Sequence, residues 1–271
     1  MTSKKVLFIS QAIEPFVPET PMSKLGKIIP HSIQEMGNEI RTFQPKWGNV
    51  NERRNQLHEV IRLSGLNVII NNTDHSLLIK VASVQSTHVQ VYFIDNEDFF
   101  NKRLAESDAK NKEYGDNYER SIFYTRSVIE TIKKQRWYPD VIHCQGWISG
   151  TAPFFIRAAY QDEMPFTNTK VVYSLHGTKL KKPLPENYKD CLAFRNITPE
   201  SIEQYGMPLK SFTDYAKFSL SFCDGIIQAQ KGASPELVAF AKEKGIPTLP
   251  YEATDNPGQR YADFYESLFE Q

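Results

Sequence analysis

The stretch Trp137-Tyr138-Pro139-Asp140-Val141-Ile142-His143-Cys144-Gln145-Gly146-Trp147 limits the fold more than any other part of the chain. A Pro-Asp turn launches a short apolar run, Val141-Ile142, which then breaks into polar residues and a glycine. Ser149-Gly150-Thr151-Ala152-Pro153 next opens an apolar segment, Phe154 to Tyr160, that reads as a helix. A buried strand running into a helix is the unit of a parallel sheet, and such sheets hold ligands beyond the carboxyl ends of their strands. His143, Gln145 and Trp147 are expected at such an end, so a small-molecule site should include this turn.

The rest of the chain fits the same plan. Lys5 to Ser10 reads as a buried first strand. Glu14 to Pro21 carries three prolines in eight positions and is expected to be a loop. A helix is expected from about Ile28 to Met36, with Pro30 in its first turn and Gly37 as its stop, followed by a strand from Glu39 to Phe43. Between Leu57 and Ile94 the pattern changes to short β-branched runs with turn residues between them, among them Asn71-Asn72-Thr73-Asp74, which reads as inserted antiparallel hairpins. Asp116 to Arg136 is the best helix, with Asp116 and Glu119 at capping-box spacing. Lys170 to Leu175 is a strand ending in His176-Gly177, and Lys179 to Met207 a long loop with short helical pieces. Ser211 to Ser221 is helical, Gly225 to Gln228 a strand, and Ser234-Pro235-Glu236 a capped helix start. Tyr261 to Phe269 forms a last amphipathic helix. The expectation is one α/β domain over residues 1–271, a doubly wound, mostly parallel Rossmann-like sheet with an antiparallel hairpin insertion.

Composition removes several classes of function. The 32 basic and 32 acidic residues balance, which argues against a large nucleic-acid footprint. Lys179, Lys181 and Lys182 read as a solvated loop. Three widely spaced cysteines suit reduced thiols better than disulfides or zinc. No apolar run approaches the ~20 residues of a membrane span. Lys4-Lys5 precede only Val6 to Ile9, too short for a signal peptide. A soluble cytoplasmic protein is expected. Cys144 should face away from its neighbour His143, which argues against a Cys–His nucleophile. His143 and His176 have no ligand spacing that would make a metal site.

Several blocks, in order, resemble the N-terminal domain of bacterial glycogen synthases and plant starch synthases, two-domain glucosyltransferases of the GT-B fold. Pro15-Phe16 and Ile29-Pro30 match two anchors of that family without a gap. Val91-Tyr92-Phe93-Ile94-Asp95-Asn96, Tyr114-Gly115-Asp116-Asn117 and Glu119-Arg120 look like its middle block. Pro139-Asp140-Val141-Ile142-His143 with Trp147 is similar to its histidine-x-histidine-aspartate-tryptophan motif, and Ser174-Leu175-His176 to a strand end of the form threonine-isoleucine-histidine-asparagine. The resemblance runs from about Val6 to about Gln230 and covers only the first half of the family's protein.

The departures fall on the chemistry. Pro18 stands where the family has a donor-binding lysine, and Thr20-Pro21 where it has two glycines; Lys24 or Lys27 would have to substitute. Gln145 and Gly146 replace the motif's second histidine and its aspartate. The resemblance implies His143, Gln145, Trp147 and His176 as ligand-binding residues and His176 as the catalytic candidate, with no cofactor and no metal. For His143 and Trp147 the plainer readings, a strand-capping histidine and core packing, stay open. The family's C-terminal nucleotide-sugar domain is not expected in this sequence, so the chain should be inactive or nearly so alone. Expected partners are an α-1,4-glucan and a second chain or copy that completes an ADP- or UDP-glucose-dependent transferase. The remaining alternative is a regulatory interaction protein with no sugar affinity.

Overall fold

A computed structural model of the chain describes residues 3–164 and 166–270. Its strands are β1 (Lys5–Ser10), β2 (Glu39–Pro45), β3 (His58–Glu59), β4 (Leu66–Ile70), β5 (Thr73–Ser83), β6 (Gln90–Asp95), β7 (Val141–Gln145), β8 (Lys170–Leu175), β9 (Gly225–Gln228) and β10 (Thr248–Leu249). The helices are α1 (Pro21–Glu35), α2 (Asn117–Lys134), α3 (Ala152–Ala158), α4 (Tyr188–Leu192), α5 (Pro199–Glu203), α6 (Phe212–Leu220), α7 (Pro235–Glu243) and α8 (Pro257–Ser267). The sheet order is β10-β9-β8-β7-β1-β2-β6-β5-β3, with β4 paired to β5. Neighbours from β10 through β6 are parallel. The strands β3, β4 and β5 form the antiparallel insertion on β6. The chain winds one way from β1 to β2 and β6, then the other way from β7 to β10. The reversal falls between β1 and β7, where a doubly wound sheet leaves a crevice at its carboxyl edge.

Strand alternation divides the core into two layers. Leu7, Ile9, Ile142 and Val171 pack on one face with Tyr124, Val128 and Ile129 of α2. Val6, Phe8, Val141, Val172 and Ile227 pack on the other with Ile29 and Ile33 of α1 and with Tyr261 and Tyr265 of α8. Each large side chain buried this way contributes about 1.5–3 kcal/mol, so the sheet is fixed from both sides.

Local chemistry moves several boundaries away from the sequence expectation. Helix α1 starts at Pro21 rather than near Ile28, and Pro30 lies inside it. Proline suits the first helical position, because no N–H is needed there. Thr20 caps the helix reciprocally: its hydroxyl accepts from Ser23 N at 3.1 Å, and its own N–H donates to Ser23 Oγ at 2.8 Å. In contrast, Asp116 makes no capping bond to α2. Its carboxylate instead accepts from Arg103 Nη1 at 2.8 Å. The turn of the β4–β5 hairpin needs only Asn71 and Asn72, both at positive φ (45° and 61°), the backbone sense that matches strand twist. The short edge strand β10 has no counterpart in the sequence reading.

Candidate functional site

A cleft of about 450 Å³ opens at the carboxyl edge of the sheet. Gln11 and Ala12 follow β1, Trp47 and Asn49 follow β2, and Thr178 and Gln230 follow β8 and β9. Met22, Pro21 and Thr20 at the start of α1 form another wall, and Leu104, Ala105 and Glu106 a third. Four parallel strands thus deliver their ends to one place.

The polar centre of the cleft is Glu106. Its Oε1 accepts from Gln11 Nε2 at 2.8 Å and from Trp147 Nε1 at 3.0 Å. Trp47 lies beside this pair, donating its indole N–H to Gln11 O at 2.7 Å, with its ring centroid 6.3 Å from that of Trp147. The loop carrying Glu106 is held by Arg120 of α2, whose guanidinium is fully buried. It donates to the carbonyls of Phe99, Leu104 and Ala105 and to Asn117 Oδ1. The same guanidinium lies 5.0 Å from the Trp47 ring centroid. Burial, and then repulsion from Arg103, bring the Arg120 pKa down to about 9. One buried cation therefore sets both the acidic and the aromatic wall.

His176, at the end of β8, is buried, and neither ring nitrogen has a protein partner. It lines a small space of about 20 Å³, room for roughly one water, together with Gly146, Trp147 and Ser234. Met22 and Thr178 border both this space and the main cleft. Ser234, expected to cap α7, sits instead at φ 44° with no capping bond, and its Oγ lies 3.5 Å from His176 O. Such a left-handed serine is strained, and here the strain accompanies the contact with the histidine. Burial pulls the His176 pKa down to about 4.

The other residues singled out in the sequence are distributed differently. His143 pairs in register with Phe8 and Val172 in mid-strand, not at a strand end. Its ring lies between the Tyr265 hydroxyl and Ser174 Oγ, each 2.5 Å from a ring nitrogen, and is buried under α8. Gln145 is buried at the end of β7; its Nε2 donates to Met22 O at 3.2 Å and its Oε1 has no partner. Trp147 and Trp47 are both 2% exposed; Trp47 borders the main cleft, and Trp147 the smaller space beside His176. Cys144 faces the core as expected, and burial pushes its thiol pKa up. Among the described residues no His, Cys, Asp and Glu cluster suits a metal, and no helix is long and apolar enough to cross a membrane.

The loop before α1 offers little to an anion. Pro21 has no N–H, and Thr20 already takes that of Ser23. Lys24 pairs with Glu19 and Lys27 with Glu14, and neither lines the cleft. Gln11, Trp47 and Glu106 were not singled out in the sequence reading. Gln11 and Trp47 had a usable signal, since they lie one and two residues past the ends of parallel strands.

A mostly parallel sheet with an antiparallel extension and a cleft at the carboxyl edge is the architecture of a GT-B glycosyltransferase catalytic domain. A solved structure similar to it is the catalytic domain of starch synthase IV from Arabidopsis thaliana bound to ADP and acarbose, which matches with a TM-score of 0.71 at 12% identity over 94% of this chain and 53% of that one. The chain belongs to the starch synthase catalytic domain family, whose model matches residues 5–245. It is 32% identical over 201 residues to the glycogen synthase of Chlorobium limicola, covering 73% of this chain and 40% of that protein. It is 34% identical over 174 residues to that of Chlorobaculum parvum, covering 64% and 36%. The chain thus spans well under half the length of these relatives, and the match is to their N-terminal part.

Proposed function

We propose that residues 1–271 form the acceptor-side domain of a glycogen- or starch-synthase-like protein, that the cleft holds the end of an α-1,4-glucan, and that this domain transfers no glucose by itself. The observation that carries the reading is the chemistry of the cleft wall: one carboxylate, several neutral polar groups and apolar surface, with no lysine or arginine. A neutral polyhydroxyl chain suits such a wall, its hydroxyls meeting Asn49, Thr178 and Gln230 and its apolar ring faces meeting Val17, Pro21 and Leu104, with Trp47 packed among the lining residues. A nucleotide diphosphate calls for cations or free amide donors; the Pro18–Pro21 loop has no lysine or arginine, Pro18 and Pro21 have no N–H, and that of Thr20 is already donated to Ser23. Donor binding is assigned to a part of the machinery outside these residues. Glycosyl transfer needs donor and acceptor aligned in a closed site. His176 and Gln145, with unsatisfied buried acceptors or donors beside the cleft, are the next polar groups a bound glucan would reach. His143, with both nitrogens engaged, supports the sheet.

Calorimetric titration with maltoheptaose and, separately, with ADP-glucose tests this. The expected result is glucan binding that is lost in Trp47→Ala, with no heat from ADP-glucose. Binding of ADP-glucose would overturn the account of the proline loop. Silence with both ligands would leave the domain as an interaction module without sugar affinity.

A further inference from the structure

The family resemblance places a carboxylate in the turn after β7, where this chain has Gly146, and the fold closes that position to any side chain. Gly146 has φ +82°, and a Cβ added there would lie 2.3 Å from Gln11 Oε1 and 2.6 Å from Gln11 Cβ. The amide that fills the space reaches Glu106, and with the Trp147 indole it fixes one oxygen of a carboxylate that arrives from a different loop. Two acceptors are left over. Glu106 Oε2 has no protein partner among the described residues, and Gln11 Oε1 is buried without one. Both residues line the cleft. Gln11 Oε1 is turned to Gly146, so Glu106 Oε2 is the open acceptor of the pair that the cleft can reach.

We infer that the cleft's carboxylate has moved from the β7 turn to the loop before α2, and that Glu106, oriented by Gln11, reads the hydroxyls of the bound sugar. This rests on the glucan reading above. An ionised carboxylate only accepts hydrogen bonds, and those it accepts are roughly twice as strong as neutral ones. A carboxylate held by two donors through one oxygen, with the other oxygen open, selects a hydroxyl donor such as a hexose ring carries. With no cation in the wall to offset it, the same carboxylate repels a phosphorylated sugar. Glu106 is thus a specificity-determining residue of this chain, and Gly146 is the space that lets Gln11 orient it.

The test is calorimetric titration of the full chain with maltoheptaose, comparing wild type with Glu106→Gln. Glutamine keeps the shape, and its amide oxygen still accepts from Gln11 and Trp147, but the outward acceptor becomes a donor. The expected result is at least tenfold weaker binding with an unchanged melting temperature. Wild-type binding retained within twofold in a folded Glu106→Gln variant would overturn the inference while leaving the glucan reading intact. Absence of wild-type binding would remove the glucan reading and this inference with it. If Glu106→Gln melts early, Glu106→Asp decides: it keeps the charge but withdraws it, so lost affinity with an unchanged melting temperature supports the assignment and full affinity overturns it.

Discussion

The His143 ring and the Tyr265 hydroxyl meet at 2.5 Å across 122 residues of sequence, tying helix α8 to the central strand β7. Ser174 closes the other ring nitrogen, so a neutral imidazole has one donor and one acceptor contact and nothing left over. Tyr265→Phe should keep the packing but leave a buried nitrogen without its partner, costing about 1–3 kcal/mol. Urea denaturation measures this directly. A loss indistinguishable from zero would show that the contact contributes nothing to holding α8.

Stability should also fall with acid in a definite window. Burial, and then the charge of His176, lowers the His143 pKa to about 3, and burial lowers that of His176 to about 4, against 6.5 for a free imidazole. Below pH 6.5 the unfolded chain binds protons that the folded chain refuses, so the stabilisation present above 6.5 is lost as pH falls toward 4 and 3. Each histidine contributes a slope of about 1.4 kcal/mol per pH unit within that range. Denaturation midpoints measured at pH 7 and pH 5 should differ accordingly, and His176→Asn should reduce the difference by about half. An unchanged slope in that variant would mean His176 takes up a proton in the folded state.

Gly146→Ala should destabilise the chain on two counts, a backbone conformation at φ 82°, ψ 166° that is close to glycine-only and a collision with Gln11. The sum should be about 2–4 kcal/mol. Adding Gln11→Ala removes the clash with the amide group but leaves the one with the residue 11 Cβ, at 2.6 Å, and the backbone strain. A double-mutant cycle should therefore show partial rescue, and strictly additive losses would mean that the two residues do not compete for the same space.

Arg120→Met retains much of the volume but removes four hydrogen bonds to the 99–117 region. It should cost about 3 kcal/mol or more, because several buried carbonyls lose a charged donor. Hydrogen exchange of residues 99–106 should accelerate more than that of β1 or β7. Uniform acceleration would indicate global loss of stability instead of release of the loop that carries Glu106.

Much of the sheet was legible because parallel strands announce themselves as short apolar runs. β1, β7, β8 and β9 stand where Val6-Leu7-Phe8-Ile9, Val141-Ile142, Lys170 to Leu175 and Gly225 to Gln228 put them. The start of α1 was obscured because Pro21 continues a proline-rich run, although Thr20 and Ser23 carried the capping signal. The site was less legible for a different reason. Glu106 lies in a polar, unpatterned segment, and only the fold shows that Gln11 and Trp147 converge on it. Alternation along β7 correctly separated Cys144 from His143, yet the hydroxyl that engages His143 arrives on a helix near residue 265. Contacts of that range leave no local pattern.

The pair of indoles behind the Glu106 wall gives the molecule its own optical reporter. Only three tryptophans occur in the chain. Trp47 and Trp147 lie tilted at 40° within 6.3 Å of each other, close enough for their excited states to couple, whereas Trp137 sits at the amino-terminal edge of the sheet, bonded to Glu39. The strong far-ultraviolet indole band in circular dichroism of the intact protein should therefore carry an exciton couplet from this pair, whose sign and intensity follow the geometry of the cleft, so that occupancy can be watched without a label.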